Sequence, residues 1–205
     1  MYRLLLPLII LSAAAGADSA PQPTLAKLFL TSGAIYVLSD LVPFLPQQKK
    51  ESIDYYIVTA GNVHDNPHWI TDEVNAVIGI GRAVRPIDLA RLSRDELEAT
   101  FHQCAIVWVG SGNPFYLLQE ARRTGFDELL ARKIAAGTPY IGTSAGSIIL
   151  APDIESVRFA NDLAQAPELA SFEGLGLFPL FAFAHFDSPD FKSFFPGNPG
   201  LCAGA

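Results

Sequence analysis

The segment Gly142-Thr143-Ser144-Ala145-Gly146 constrains this fold more than any other stretch of the chain. It follows an apolar run ending in Tyr140-Ile141 and precedes Ser147-Ile148-Ile149-Leu150, which can open a helix. A serine between two glycines, where a strand turns into a helix, is the nucleophile-elbow arrangement. The tight turn lifts the hydroxyl clear of the backbone, and small neighbours leave room for a substrate carbonyl. The N–H of Ala145 then faces the oxygen that turns negative in a tetrahedral intermediate. The same residues also suit a Gly-rich turn that holds an anion at a helix N-terminus, or that holds nothing. Either way the chain must supply a strand–turn–helix unit here, and the remaining residues decide whether it is chemical.

The rest of the chain repeats that unit. Lys27 to Ser32 reads as a first strand, Ile53 to Thr59 as a second, Val84 to Leu89 as a third and Ala105 to Val109 as a fourth. The fourth is continuously apolar and β-branched, as expected of a strand covered on both faces. Helical patterns fall between them. Ala34 to Leu45 is helical in part, His68 to Gly79 precedes a Gly79/Gly81 stop, and Ser93 with Glu96 makes a capping box. Pro114 to Arg123 and Asp127 to Ala136 follow, and Leu175 to Phe186 carries the last strand signals. This alternation predicts an α/β fold, a three-layer α/β/α sandwich with a mostly parallel central sheet. Residues 27–190 read as one catalytic domain, without an internal repeat or linker.

Composition narrows the functional classes. Half of the residues are apolar and 17% are charged, which excludes a disordered or coiled-coil chain. A net charge of −7 argues against a nucleic-acid partner. Cys104 begins an apolar strand and reads as a core thiol, while Cys202 lies near the C-terminus; there is no disulfide framework and no zinc spacing. His64 and His68 are four apart in a Pro/Asn-rich loop, a weak metal pattern.

In an open parallel sheet, ligands bind beyond the carboxyl ends of the strands. Thr31-Ser32-Gly33, Thr59-Ala60-Gly61, Gly110-Ser111-Gly112-Asn113 and the elbow all fall there, and His185 ends the last strand signal. Serine needs a general base, itself oriented by a third group. His185 is the candidate base, since His102 falls before the fourth strand, on the far edge. Asp162 is the candidate third member, with Asp187, Asp153 and Glu173 as competitors. The glycines around Ser111 let the backbone approach a ligand closely, so the N–H of Gly112 is a candidate second oxyanion donor. No Gly-Lys-Ser/Thr follows, so the turn is not a nucleotide-phosphate loop.

Taken together, Leu28-Phe29-Leu30-Thr31-Ser32-Gly33, Val109-Gly110-Ser111-Gly112-Asn113-Pro114-Phe115-Tyr116-Leu117-Leu118, the elbow, Asn161-Asp162 and Gly174-Leu175-Gly176-Leu177-Phe178 with His185 resemble the dipeptidase E (alpha-aspartyl dipeptidase) family of serine peptidases. That family is related in fold to class I glutamine amidotransferases. The resemblance runs from about Lys27 to Asp187. It implies Ser144 as nucleophile, His185 as base, Gly112 and Ala145 as oxyanion donors, Asn113 at the substrate and Asp162 as the matching acid. The implied reaction is hydrolysis of a short peptide with an N-terminal aspartate through an acyl-enzyme, without metal or cofactor. Ser111 departs from the family's Gly-Gly-Gly-Asn turn.

The ends of the chain add two expectations. Arg3, the apolar run from Leu4 to Leu11 and the small residues that follow have the order of a signal peptide over residues 1–20. That predicts export to the periplasm or outside the cell, with no membrane span in the mature protein; a cytoplasmic protein is the alternative. Residues 191–205 read as irregular, where the family carries further elements, so a truncated relative with an impaired triad that keeps a binding pocket is a second reading. A third is an α/β-hydrolase esterase, which shares the elbow and the order serine, acid, histidine.

Overall fold

The computed structural model describes residues 27–185. The expected signal peptide, Asp187, Cys202 and the irregular C-terminus lie outside the described residues.

Five strands form one parallel sheet: β1 (Leu28–Thr31), β2 (Ile53–Ile57), β3 (Val84–Ile87), β4 (Cys104–Val109) and β5 (Tyr140–Thr143), in the order β1-β5-β4-β2-β3. The helices are α1 (Ala34–Leu41), α2 (His68–Gly79), α3 (Arg94–Thr100), α4 (Pro114–Thr124), α5 (Phe126–Ala135) and α6 (Ala145–Ile148). Alternate strand residues enter different layers, because successive side chains on a strand point to opposite faces. Tyr56, Ile106, Trp108 and Ile141 pack with Leu38 and Leu41 of α1 and Val74 and Val77 of α2. Tyr55, Val107, Val109 and Tyr140 pack with Leu97 of α3, Phe115 and Leu118 of α4 and Leu130 of α5. These are the three layers expected, with every sheet pairing parallel.

The middle of the sheet holds one buried charge. Asp54 on β2 is fully buried, and Arg82 pairs with it. The indole of Trp108 donates to its Oδ2 at 3.0 Å and Gln48 Nε2 to its Oδ1 at 3.2 Å. A buried carboxylate is tolerated when its oxygens are met by such donors. The expected capping box is present, with Ser93 and Glu96 closing the first turn of α3.

One expectation fails. Leu175 to Phe186 forms no strand among the described residues; only an isolated antiparallel bridge, Asp153 to Glu173, occurs nearby. The N–H groups of Leu175, Gly176 and Phe178 instead donate to the carbonyls of Ile149, Ala151 and Leu150, just beyond α6. Leu175, Leu177, Phe178 and Phe181 still pack on the core, which is why the segment looks strand-like in sequence. Gly174 sits so close to this chain that a Cβ there would lie 2.0 Å from the Ala151 carbonyl oxygen. The segment is therefore a loop closing over the end of α6, and His185 comes from a turn, not from a strand end.

Candidate active site

The elbow is held by its own backbone. Ser144 stands between β5 and α6 at φ 49° and ψ −106°, a conformation that costs a non-glycine residue about 1–3 kcal/mol. Both glycines are required by close approach. A Cβ on Gly146 would lie 2.2 Å from the Val109 carbonyl oxygen, and one on Gly142 would lie 2.8 Å from the Gly146 carbonyl. The Ser144 N–H donates to the Thr31 carbonyl at 2.9 Å, tying the elbow to β1. Ala145 opens α6, so its N–H has no intrahelical acceptor and is available to a ligand oxygen.

Two side chains that sequence reasoning passed over hold this turn. The buried Ser147 hydroxyl accepts the Thr31 N–H at 2.9 Å, and the Thr31 and Gly142 carbonyls both lie 2.8 Å from it. The Tyr140 hydroxyl donates to the Gly146 carbonyl at 2.6 Å. Ser147 directly follows the motif, and a small hydroxyl there looks in sequence like an ordinary first-turn residue.

The imidazole Nε2 of His185 lies 2.9 Å from Ser144 Oγ. His185 has φ 61°, and its N–H donates to Ser32 Oγ at 3.1 Å. Ser32 was legible as part of the rim after the first strand, but its hold on His185 was not. The hydroxyl of Ser144 is mostly covered, with the residue 8% exposed.

Beyond β4, the turn Gly110 to Asn113 faces the rim. Gly112 has φ 139°, and a Cβ there would lie 2.0 Å from the Ala60 carbonyl oxygen, so only glycine fits. Asn113 is buried and its side chain is engaged. Oδ1 accepts the N–H groups of Phe115 and Tyr116, capping α4, and Nδ2 donates to the Asp162 carbonyl at 2.8 Å. The carboxylate of Asp162 accepts from the Ala164 N–H at 2.9 Å and from Gln165 Nε2 at 3.3 Å. The structure thus joins Asn113 to Asp162, as one tether between α4 and the 161–166 loop, while Ser144 joins His185. Among the competing acids, Asp153 accepts the Glu155 N–H on its Oδ1 at 2.8 Å.

The remaining candidates have other surroundings. His64 and His68 each pack edge-on against the ring of Trp69, at centroid distances of 5.2 and 5.5 Å. His102 lies in the short 3-10 turn Phe101–Gln103 before β4. Burial pushes the Cys104 thiol up to about 12, as befits a core thiol.

The chain is similar to several known proteins. The model of peptidase family S51 matches residues 28–196. The uncharacterised peptidase PM1590 of Pasteurella multocida is 35% identical over 160 residues, covering 78% of this chain and 77% of the relative. Peptidase E of Streptomyces coelicolor is 43% identical over 102 residues, 50% of this chain and 37% of that protein. A crystal structure of a Listeria monocytogenes EGD-e protein provisionally named peptidase E superposes with a TM-score of 0.77 at 30% identity, covering 82% of each chain.

Proposed function

The chain belongs to peptidase family S51, and from that premise we propose that it is a serine peptidase cleaving short peptides by acyl transfer on Ser144. The observation that carries the reading is the 2.9 Å contact between His185 Nε2 and Ser144 Oγ, made by a serine in a strained elbow. In the first step Nε2 removes the hydroxyl proton as Oγ bonds to the scissile carbonyl carbon, and the carbonyl π electrons move to oxygen. In this reading the N–H groups of Ala145 and Gly112 stabilise that developing charge. Collapse expels the amine, which takes the proton from His185. Water then attacks the ester carbonyl with His185 again as base; collapse breaks the bond to Ser144 Oγ, which takes the proton back from His185, and the acid leaves.

In this reading Ser32 and the elbow set the position of His185, while Asn113 and Asp162 act at one remove by holding the loop beside the site. The substrate class is a short peptide with an N-terminal aspartate, following the family resemblance of the motifs. Incubation of the purified protein and of Ser144→Ala with Asp-Leu is the test. Release of leucine by the parent protein alone supports the proposal, and equal release by both removes it.

A further inference from the structure

Glu73 is a buried carboxylate that the acyl-transfer steps leave unused. It lies on α2, 5% exposed, with Val74 and Val77 of the same helix in the core beside it. Its Oε2 accepts the Tyr56 hydroxyl at 2.5 Å and its Oε1 accepts the Ser111 hydroxyl at 2.8 Å. The backbone N–H of Ser111 also faces it; all of these donors are neutral, and among the described residues no cation pairs with it. Burying a carboxylate on such terms is costly, and an apolar residue would be accommodated there more easily.

The position of its partners gives it a use. Ser111 has glycine on both sides, and glycines leave a backbone free to adopt many conformations. The ends of the turn are tied, Gly110 N–H to the Ile57 carbonyl and Asn113 N–H to the Ala60 carbonyl, both at 2.9 Å. Between them, the Ser111 hydroxyl is the side chain that can anchor the middle, and it is anchored to Glu73. On the other side, Tyr56 lies beside the buried Thr143 hydroxyl, and Thr143 immediately precedes Ser144. One carboxylate therefore ties the turn that carries Gly112 to Tyr56 of β2, whose hydroxyl lies beside the residue that precedes the nucleophile.

We propose that Glu73 is a positioning residue for acyl transfer, holding the Gly110–Asn113 turn through Ser111 so that the Gly112 N–H stays aimed at the oxygen attacked at Ser144. The inference rests on the reading of Ser144 as nucleophile. Oxyanion donors act over a narrow range of distance, and a displacement near 1 Å costs on the order of a hundredfold in rate.

The test compares the parent protein with Ser111→Ala, Glu73→Leu, Glu73→Gln and the Ser111→Ala/Glu73→Leu double variant. The readouts are the rate of fluorophosphonate labelling at Ser144, kcat and KM on Asp-Leu, and thermal stability. Ser111→Ala and Glu73→Leu should each slow labelling and kcat about 10–100-fold with KM within about threefold. Glu73→Gln, which keeps an acceptor, should stay within about fivefold of the parent, and the double variant should be no slower than the slower single one. A merely structural Glu73 predicts changed stability with unchanged labelling in the folded variants. Parent-like labelling of Ser111→Ala, a one-atom change at a half-buried residue, or of folded Glu73→Leu overturns the inference, as do effects that multiply in the double variant. A parent protein that is labelled but leaves Asp-Leu intact counts against the peptide substrate alone, because the labelling rates still decide the role of Glu73.

Discussion

Ser144 and His185 share a 2.9 Å hydrogen bond, and they are also the two non-glycine residues with positive φ among those described. Strained backbone persists where surrounding structure over-determines it, and it gathers at functional sites. Here the constraints are visible: Ser144 is pinned through Thr31 and the close approach of Gly146 to Val109, and His185 through Ser32.

The strain at Ser144 can be separated from its chemistry. Ser144→Ala keeps a side chain at φ 49°, whereas Ser144→Gly removes the steric cost. Both variants should lose hydrolysis. Ser144→Gly should nevertheless be more stable than Ser144→Ala by about 1 kcal/mol, read from urea denaturation midpoints. Equal midpoints would mean that the turn is not strained by its Cβ.

Ser147 carries stability that the elbow motif does not advertise. Its hydroxyl is the acceptor for the Thr31 N–H and lies against two carbonyls. Ser147→Ala leaves that N–H without its acceptor inside the β1–α6 junction, and should cost about 1–3 kcal/mol in denaturant unfolding. Because Thr31 also accepts the Ser144 N–H, kcat should fall with little change in KM.

Asp162 distinguishes a carboxylate behind the histidine from a loop support. Its carboxylate caps the short turn Leu163–Gln165, a task that asparagine performs about as well. Asp162→Asn should therefore keep kcat within about threefold, while Asp162→Ala should lose about 1 kcal/mol of stability. A carboxylate that set the histidine tautomer would instead lose about four orders of magnitude on the change to asparagine, so kcat of Asp162→Asn alone decides between the two.

How much of this was legible in sequence follows from how local each cause is. β4 was readable because a strand covered on both faces must be apolar throughout, and α2 because its periodicity runs into Gly79 and Gly81. The elbow was readable because two close backbone approaches, to Val109 and within α6, force glycine at fixed spacing. The segment 175–185 misled because its apolar residues do face the core, but from a loop whose N–H groups are taken by residues 149–151. Glu73 was invisible. A glutamate on an amphipathic helix looks solvated, and its burial depends on Tyr56 and Ser111, 17 and 38 residues away.

That burial gives Glu73 a pH signature. Desolvation by the surrounding side chains raises its carboxyl above the ordinary 4.5, against the opposing hydrogen bonds from Tyr56 and Ser111. The folded state then binds the proton more tightly than the unfolded chain does. Stability falls with pH wherever the folded state holds more protons, so the contribution of protonated Glu73 is complete below 4.5 and is lost as pH rises through its raised value. Glu73→Gln removes the titration and keeps an acceptor for Ser111. The parent protein should therefore lose stability relative to Glu73→Gln as pH rises from about 4 into the neutral range, with the difference flat once Glu73 is ionised. Urea denaturation of both proteins across that range reads the difference directly. A difference that grows in favour of the parent protein with rising pH would show that the carboxylate is better solvated when folded than when unfolded, and would remove the buried charge from the account of the turn.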